Sequence, residues 1–440
     1  MKKRILSLLI CAVLVLSFSG CTGEKVNTDS KSTTTASEPT VPLEIEGYTR
    51  IDSSYITFES PLFEKVKLTK GYESLDTDGQ RAAYKLIDSY VMYISNEKID
   101  GDYKVLPIDM RGITLSQAEL HLIISAYSMD HPEIFWIESK FAYYTTDKQT
   151  FLQLNSGLSA DEIMADAVKM KKTFDSMFKG VKAQMSQYDR ELWLHNALNA
   201  KCEYADTKDE KTDDFRIYTC VGALVDGVAV CEGYSRAMQI LLSAAGIDCY
   251  YVLGVGNETL HMWNTVKIDS DWYFLDATWN DNDSMGAEFD YFNLNTDQIL
   301  KDHTISPLYW ELTEEEVCGN ETTGAANFNL FVPECVKKDW GFYSQKSIPI
   351  DGFDDVNLQK IADAMTEAVN TAQKVVYIYI DPEYLDYEQA VDNLFYSGDY
   401  AIFTCISKAN ESLADVKIKE DYVSAVESPE FSVVTVYIEY

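Results

Sequence analysis

Two hydrophobic periods divide this chain. Through much of its first half, apolar residues recur every three to four positions, as on one face of a helix. The segment 79–95 (GQRAAYKLIDSYVMYIS) has that spacing. The segment 114–128 continues it through Leu120, Leu122, Ile123 and Ala126, behind an N-cap-like Thr114 or Ser116. Residues 158–178 predict a long amphipathic helix, with Ser159 as its cap ahead of Asp161 and Glu162. Residues 190–200 (RELWLHNALNA) predict a further one. A His-Pro-Glu turn at 131–133 interrupts the series and introduces strand-like 134–137 and 141–145.

The period changes after Cys231. Tyr234, Ala237, Met238, Leu241, Leu242 and Ala245 still follow helical spacing, and Gly246 is placed to end that helix. Then LHMWNTVKI (260–268) and DWYFLDATW (271–279) predict two strands joined by a hairpin at Asp269 and Ser270. Beyond 328 the pattern predicts strands and a turn in 336–349, a helix at 358–372 and a buried strand at 375–380 (VVYIYI). A helix at 387–395 and strands at 400–406 and 432–440 follow. This mixture points to an α+β fold with a separate small sheet-and-helix module at the C-terminus.

The chain has 440 residues, too many for one ordinary core. Five segments are expected: a leader at 1–20, a tether at 21–46, a mainly helical region at 47–185, a catalytic core at 186–320 and an α+β module at 321–440. Lys2, Lys3 and Arg4 precede a short apolar run, and Ser19 and Gly20 lead into Cys21. Small residues followed by cysteine resemble a bacterial lipobox, in which Cys21 is the lipidated first residue. The stretch behind it, including TDSKSTTTASEPT, is too polar to bury a core and predicts a flexible tether. The expected location is the extracytoplasmic face of a membrane, held there by lipid.

A formal charge of −34 disfavours nucleic acid and anionic lipid headgroups as ligands. Of nine cysteines, Cys11 lies in the leader and Cys21 would carry lipid. The remaining Cys202, Cys220, Cys231, Cys249, Cys318, Cys335 and Cys405 are odd in number and irregular in spacing, which is no disulfide scaffold. No CxxC or HExxH motif accompanies the five histidines, so neither a metal site nor a cofactor is expected. Asp281, Asp283 and Glu288 offer oxygen ligands for calcium, but their spacing is that of a solvated loop and fits no EF-hand. His121 and His131 have no catalytic spacing, and His195 reads as a packed residue of its helix.

The reactive constellation is Cys231, His261 and Asp276. Helical periodicity puts Cys231 at or just before a helix N-terminus, where unpaired N–H groups and the helix dipole favour a thiolate. With a two-residue hairpin turn, Ile268 faces Asp271 and Trp263 faces Asp276. His261 then lies on the same face as Asp276 and diagonal to it, within reach, whereas a three-residue loop would put the two on opposite faces unless a bulge intervened. A thiol nucleophile, an imidazole base and a carboxylate that orients the base would thus meet.

The order Cys, His, Asp in GVAVCEGYSRA, LHMWNTVKI and DWYFLDATWND resembles the transglutaminase-like superfamily of papain-type thiol enzymes, and among them bacterial lipoprotein members. The likeness extends to RELWLHNALNAKCEYAD, CVGALVDG and HPEIFW, with its firm part at 186–305. Two positions depart from it: Met262 stands where Ala is usual, and Val221 where an aromatic residue precedes GAL. The resemblance implies a papain-type catalytic core with Cys231 as nucleophile, His261 as base and Asp276 as orienting acid. It implies acyl transfer from a protein or peptide amide through a thioester, resolved by an amine or by water. Trp263 and Trp279 are candidates to line the substrate pocket, the alternative being that both are core aromatics of the hairpin. The competing readings are a lipid-tethered binding protein that uses the same fold as an inert scaffold, and a cell-wall peptide hydrolase.

Overall fold

The computed structural model describes residues 41–110, 112–145, 150–205, 215–281, 289–306, 329–398 and 400–440. The leader, Cys21, Asp283, Glu288 and Cys318 lie outside the described residues, as does most of the tether. Residues Val41–Tyr440 gather into one compact unit with an α+β architecture. No helix among the described residues is long and apolar enough to cross a membrane.

The helices start where short polar side chains can serve their free N–H groups. Thr77 with Gln80, Ser116 with Glu119 and Ser159 with Glu162 form reciprocal capping boxes for helices Asp78–Tyr90, Gln117–Asp130 and Ala160–Phe178. Helix Gln187–Asn199 follows, capped by Ser186. The region expected to be mainly helical also contains an antiparallel sheet. In it Thr150–Ser156 pairs with Tyr103–Lys104, Ile108–Asp109 and Ile137–Thr145. Two of these strands are only two residues long, too short to leave a period in the sequence. The segment 134–136 is a turn that buries Phe135 and Trp136, and the strand begins at Ile137.

Helix Cys231–Ala244 is the centre of the largest apolar core. Tyr234, Ala237, Met238, Leu241 and Leu242 are all fully buried against the helices before it and the sheet after it. Each such side chain, apart from the small Ala237, stabilises the fold by about 1.5–3 kcal/mol through removal from water. That sheet is antiparallel throughout, in the order Asp271–Leu275, Thr259–Ile268, Cys249–Gly256, His303–Ile305.

A second core lies under the C-terminal sheet, whose order is Ser347–Ile350, Val375–Ile380, Val433–Tyr437, Ser424–Ser428. Its first pair is parallel and the others antiparallel. Helices Asp355–Asn370 and Tyr387–Phe395 match the expected periodicity. Two expectations are corrected here. Residues 336–349 contain a short helix, Phe342–Lys346, ahead of the strand Ser347–Ile350. The strand expected at 400–406 is instead the start of helix Ala401–Ser412. Its β-branched and aromatic content suggested extension, but the buried residues are Ile402, Cys405, Ile406 and Ala409, spaced for one helix face. Tertiary burial overrides propensity there. The two cores adjoin through Phe342, Tyr343, Tyr377 and Phe431.

Candidate active site

Cys231 is the first residue of its helix, behind Val230 in extended conformation. No side chain caps this end, so the first-turn N–H groups, which have no intrahelical acceptors, receive no side-chain cap either. The approach to the helix is fixed by a short parallel pair, Glu203–Tyr204 with Val228–Ala229. Among the described cysteines, all free thiols, Cys231 is the one that is not buried. Burial pushes Cys202, Cys220, Cys335 and Cys405 up to about 12 and Cys249 well above its usual value, so these stay inert thiols.

The hairpin has the two-residue turn. Ile268 pairs with Asp271, and Asp269 adopts a φ of 55° that Asp tolerates. The Asp269 N–H donates to Gln187 Oε1 at 2.7 Å, which ties the turn to the start of helix Gln187–Asn199. The ladder runs to Asn264 opposite Leu275 and stops. Asp276 then leaves the strand to cap the short helix Ala277–Asn280, and its Oδ1 accepts from the N–H groups of Thr278 (3.0 Å) and Trp279 (3.1 Å). Its other oxygen, Oδ2, lies 2.6 Å from His261 Nε2. A carboxylate only accepts, so Nε2 carries the proton and Nδ1 is the nitrogen left for Cys231.

The electrostatics of this pair follow from burial and charge. Burial disfavours the charged imidazole of His261, but the charge and hydrogen bond of Asp276, with the Cys231 sulfur in hydrogen-bonding reach, outweigh it and raise the ring's pKa. Burial likewise opposes ionisation of Asp276, and the two neighbouring imidazoles, His261 and His303, reverse that and hold its carboxyl below the usual range.

The structure therefore brings His261 and Asp276 into contact and sets Cys231 beside the imidazole. Trp263 is fully buried and packs behind the ring, with centroids 5.8 Å apart, so it belongs to the core rather than to an open pocket wall. Trp279 is half-buried and tilts over the same imidazole at 5.4 Å. Met262 packs against Cys231, and Val221 is buried. His195 lies in the core against Phe289 and Phe292, with burial pushing it down to about 4. Asp281 accepts a hydrogen bond from the Tyr234 hydroxyl.

Two residues at the site carried no signal in the sequence. Tyr204 is half-exposed, and its phenol is raised first by burial and then by the charges of Cys231 and Asp276 nearby. Only its place in the parallel pair, beside the chain leading into Cys231, brings it there. His303 lies 27 positions beyond Asp276 and also reaches Asp276 Oδ2, at 3.2 Å. Among the described residues, His261, Asp276 and His303 are a group whose donor atoms all lie within 4.8 Å of one another, close enough that they could share a metal ion. Both imidazoles also lie within hydrogen-bonding distance of the one carboxylate oxygen. On the far side of Glu232, a largely apolar cavity of about 450 Å³ is lined by Ile124, Phe135, Phe215 and Tyr218, with Glu232 and Arg236 in its wall.

Residues 176–277 match the family described as the transglutaminase-like superfamily. Two solved structures are similar over about a third of the chain. One is described as a TGase, with 14% identity and a TM-score of 0.24 over 31% of this chain and 43% of that one. The other is a candidate cysteine protease from Cytophaga hutchinsonii, with 14% identity and a TM-score of 0.20 over 32% of this chain and 62% of that one. The chain thus spans less than two thirds of either. No curated protein matches it.

Proposed function

We propose, from the transglutaminase-like domain that this chain carries at residues 176–277, that it is a thiol acyltransferase or protease acting through Cys231. The observation that carries the reading is the placement of Cys231. It is the one described thiol left accessible, at a helix N-terminus, against an imidazole whose far nitrogen donates to a buried carboxylate.

In this reading the Cys231 sulfur, as thiolate, attacks the carbonyl carbon of an amide. The first-turn N–H groups of its helix hold the developing oxyanion. The proton on His261 Nδ1 passes to the departing amine as the C–N bond breaks, leaving a thioester on Cys231. Water or a second amine then attacks the thioester, loses its proton to Nδ1 and releases the thiolate. Asp276 stays ionised throughout and stabilises the imidazolium, holding the tautomer that presents Nδ1 to the sulfur. The substrate is a protein or peptide, with the half-buried Trp279 and the half-exposed Tyr204 beside the reacting groups. Cys21 carries a lipid that tethers the enzyme to the outer face of a membrane, in keeping with the basic residues, apolar run and small residues ahead of it.

Limited alkylation tests this reading. Iodoacetamide at neutral pH is expected to label Cys231 at least tenfold faster than any other cysteine, and Cys231→Ala to abolish amide turnover. Labelling of Cys231 no faster than free cysteine would overturn it. A Cys231→Ala chain that kept its full biological effect would put the inert scaffold in its place.

A further inference from the structure

Asp276 has more partners than a nucleophile, base and orienting acid require. Oδ1 is taken by two backbone N–H groups, and Oδ2 receives both His261 Nε2 at 2.6 Å and His303 Nε2 at 3.2 Å. His303 does not end the chain of contacts. Its Nδ1 lies 2.6 Å from Asp302 Oδ1, and Asp302 Oδ2 accepts from the Tyr291 hydroxyl at 2.6 Å. The ring is almost completely buried, walled by Trp279 at 4.2 Å and Trp263 at 4.9 Å. Its backbone is set by the sheet, where His303 pairs with Gly256, itself paired with Thr259 two residues before His261.

A buried imidazole costs free energy unless its nitrogens are paired, and an apolar residue would fill the same space without that cost. What His303 adds is a second hold on Oδ2. With Oδ1 pinned by backbone, the carboxylate can still pivot about that oxygen and swing Oδ2 away from His261. We propose that His303 is a positioning residue, a clamp that keeps Asp276 Oδ2 on His261 Nε2 and is itself braced by Asp302. This rests on the reading of Cys231, His261 and Asp276 as the reacting set and deepens it. His303 touches no reacting atom; it acts through Asp276. Its hydrogen bond and its proximity also help hold the Asp276 carboxyl below its usual range.

The test uses the whole chain, with its five histidines labelled with ¹⁵N, and no substrate. The proton shared by His261 Nε2 and Asp276 is expected as a far-downfield resonance in the wild type. In His303→Leu it should broaden by exchange with water, and alkylation of Cys231 by iodoacetamide should slow about tenfold, a loss in the range of small misplacements at reacting groups. His303→Gln keeps a donor and should recover the resonance and most of the rate. An unchanged resonance and rate in His303→Leu would overturn the clamp. So would stoichiometric zinc bound by the wild type and lost in His303→Gln, since that makes the cluster a metal centre. If His303→Leu does not fold, Asp302→Ala removes the brace at a partly exposed position. It should broaden the same resonance and slow alkylation about threefold, and no change there is equally decisive against the clamp. Because the resonance is read without substrate, a wild type that never cleaves or transfers amides would sink the enzyme reading and leave the clamp standing.

Discussion

The Ser235 hydroxyl donates to the carbonyl oxygen of Met262 at 3.1 Å, one turn along the helix from Cys231 and one residue past His261. Asn264 Nδ2 returns the link by donating to the Ser235 carbonyl, also at 3.1 Å. These two bonds fasten the helix that carries the sulfur to the strand that carries the imidazole, and so set the distance between them.

Ser235→Ala should therefore slow Cys231 alkylation several-fold while costing about 1–3 kcal/mol of stability, since the buried Met262 carbonyl loses a partner. Alkylation rates and thermal unfolding measured side by side check this. A loss of stability with an unchanged rate would show that the fastening does not govern the site.

Asp276 caps a helix with one oxygen and holds His261 with the other, so its two roles can be separated. Asp276→Asn keeps a capping oxygen but offers an amide to the imidazole. Turnover should fall about 10²- to 10⁴-fold, as when a base loses its orienting acid, with the melting temperature little changed. Asp276→Ala should match that loss and also cost about 0.5–2 kcal/mol for the cap. Kinetics with unfolding curves for both variants distinguish the two effects.

Gly256 faces the site at close range. A Cβ there would stand 2.7 Å from Trp279 Cζ2 and 3.3 Å from His261 Cδ2. Gly256→Ala should displace the Trp279 ring and tilt the imidazole, with an overpacking cost of about 1–3 kcal/mol. The rate of Cys231 alkylation should drop more than in an alanine exchange at the half-buried Gly79, whose Cβ would have ordinary contacts near 3.8 Å.

Glu191 supplies a pH dependence away from the reacting groups. Its side chain is fully buried, and burial raises it from 4.5 to about 8, opposed by the hydrogen bond from Asn293 at 2.7 Å. Between those values the folded state keeps a proton that the unfolded chain releases. Stability through this group is therefore complete below 4.5 and declines as pH rises towards 8. Glu191→Gln removes the titration. Its melting temperature relative to the wild type should rise steadily across that window. A difference that stays constant with pH would assign the decline to other groups.

The sequence was most readable where a strong period and a local signal agreed. Ser159 with Glu162 marked a helix start that the structure reproduces, and the count from the Asp269–Ser270 turn placed Ile268 opposite Asp271 as found. Beyond the hairpin that count failed in detail. It paired Trp263 with Asp276, whereas the ladder ends one residue earlier and Asp276 turns away to become a cap. Cap preference competes with strand extension at such a junction, and periodicity cannot weigh the two. His303 was illegible for a different reason. It reaches Asp276 only because Cys249–Gly256 pairs with strands on both sides, a long-range pairing that no local window contains. Trp263 misled because a large aromatic beside a base looks the same in sequence whether it faces solvent or core.

The sheet order carries a consequence for how the site can adjust. His261 and His303 sit on strands joined through Cys249–Gly256, and Asp276 follows directly from the strand on the other side of His261. Strand pairing sets His261 against His303, and the end of the neighbouring strand delivers Asp276 to both. Cys231 alone belongs to a different element, a helix packed on that sheet through its buried face and through the Ser235 and Asn264 bonds. The imidazoles and carboxylate thus come from one sheet and its direct extension, and the sulfur meets them from a separate helix. The gap between sulfur and imidazole is therefore the one spacing of the site that no strand pairing fixes, and the Ser235 and Asn264 bonds are what span it.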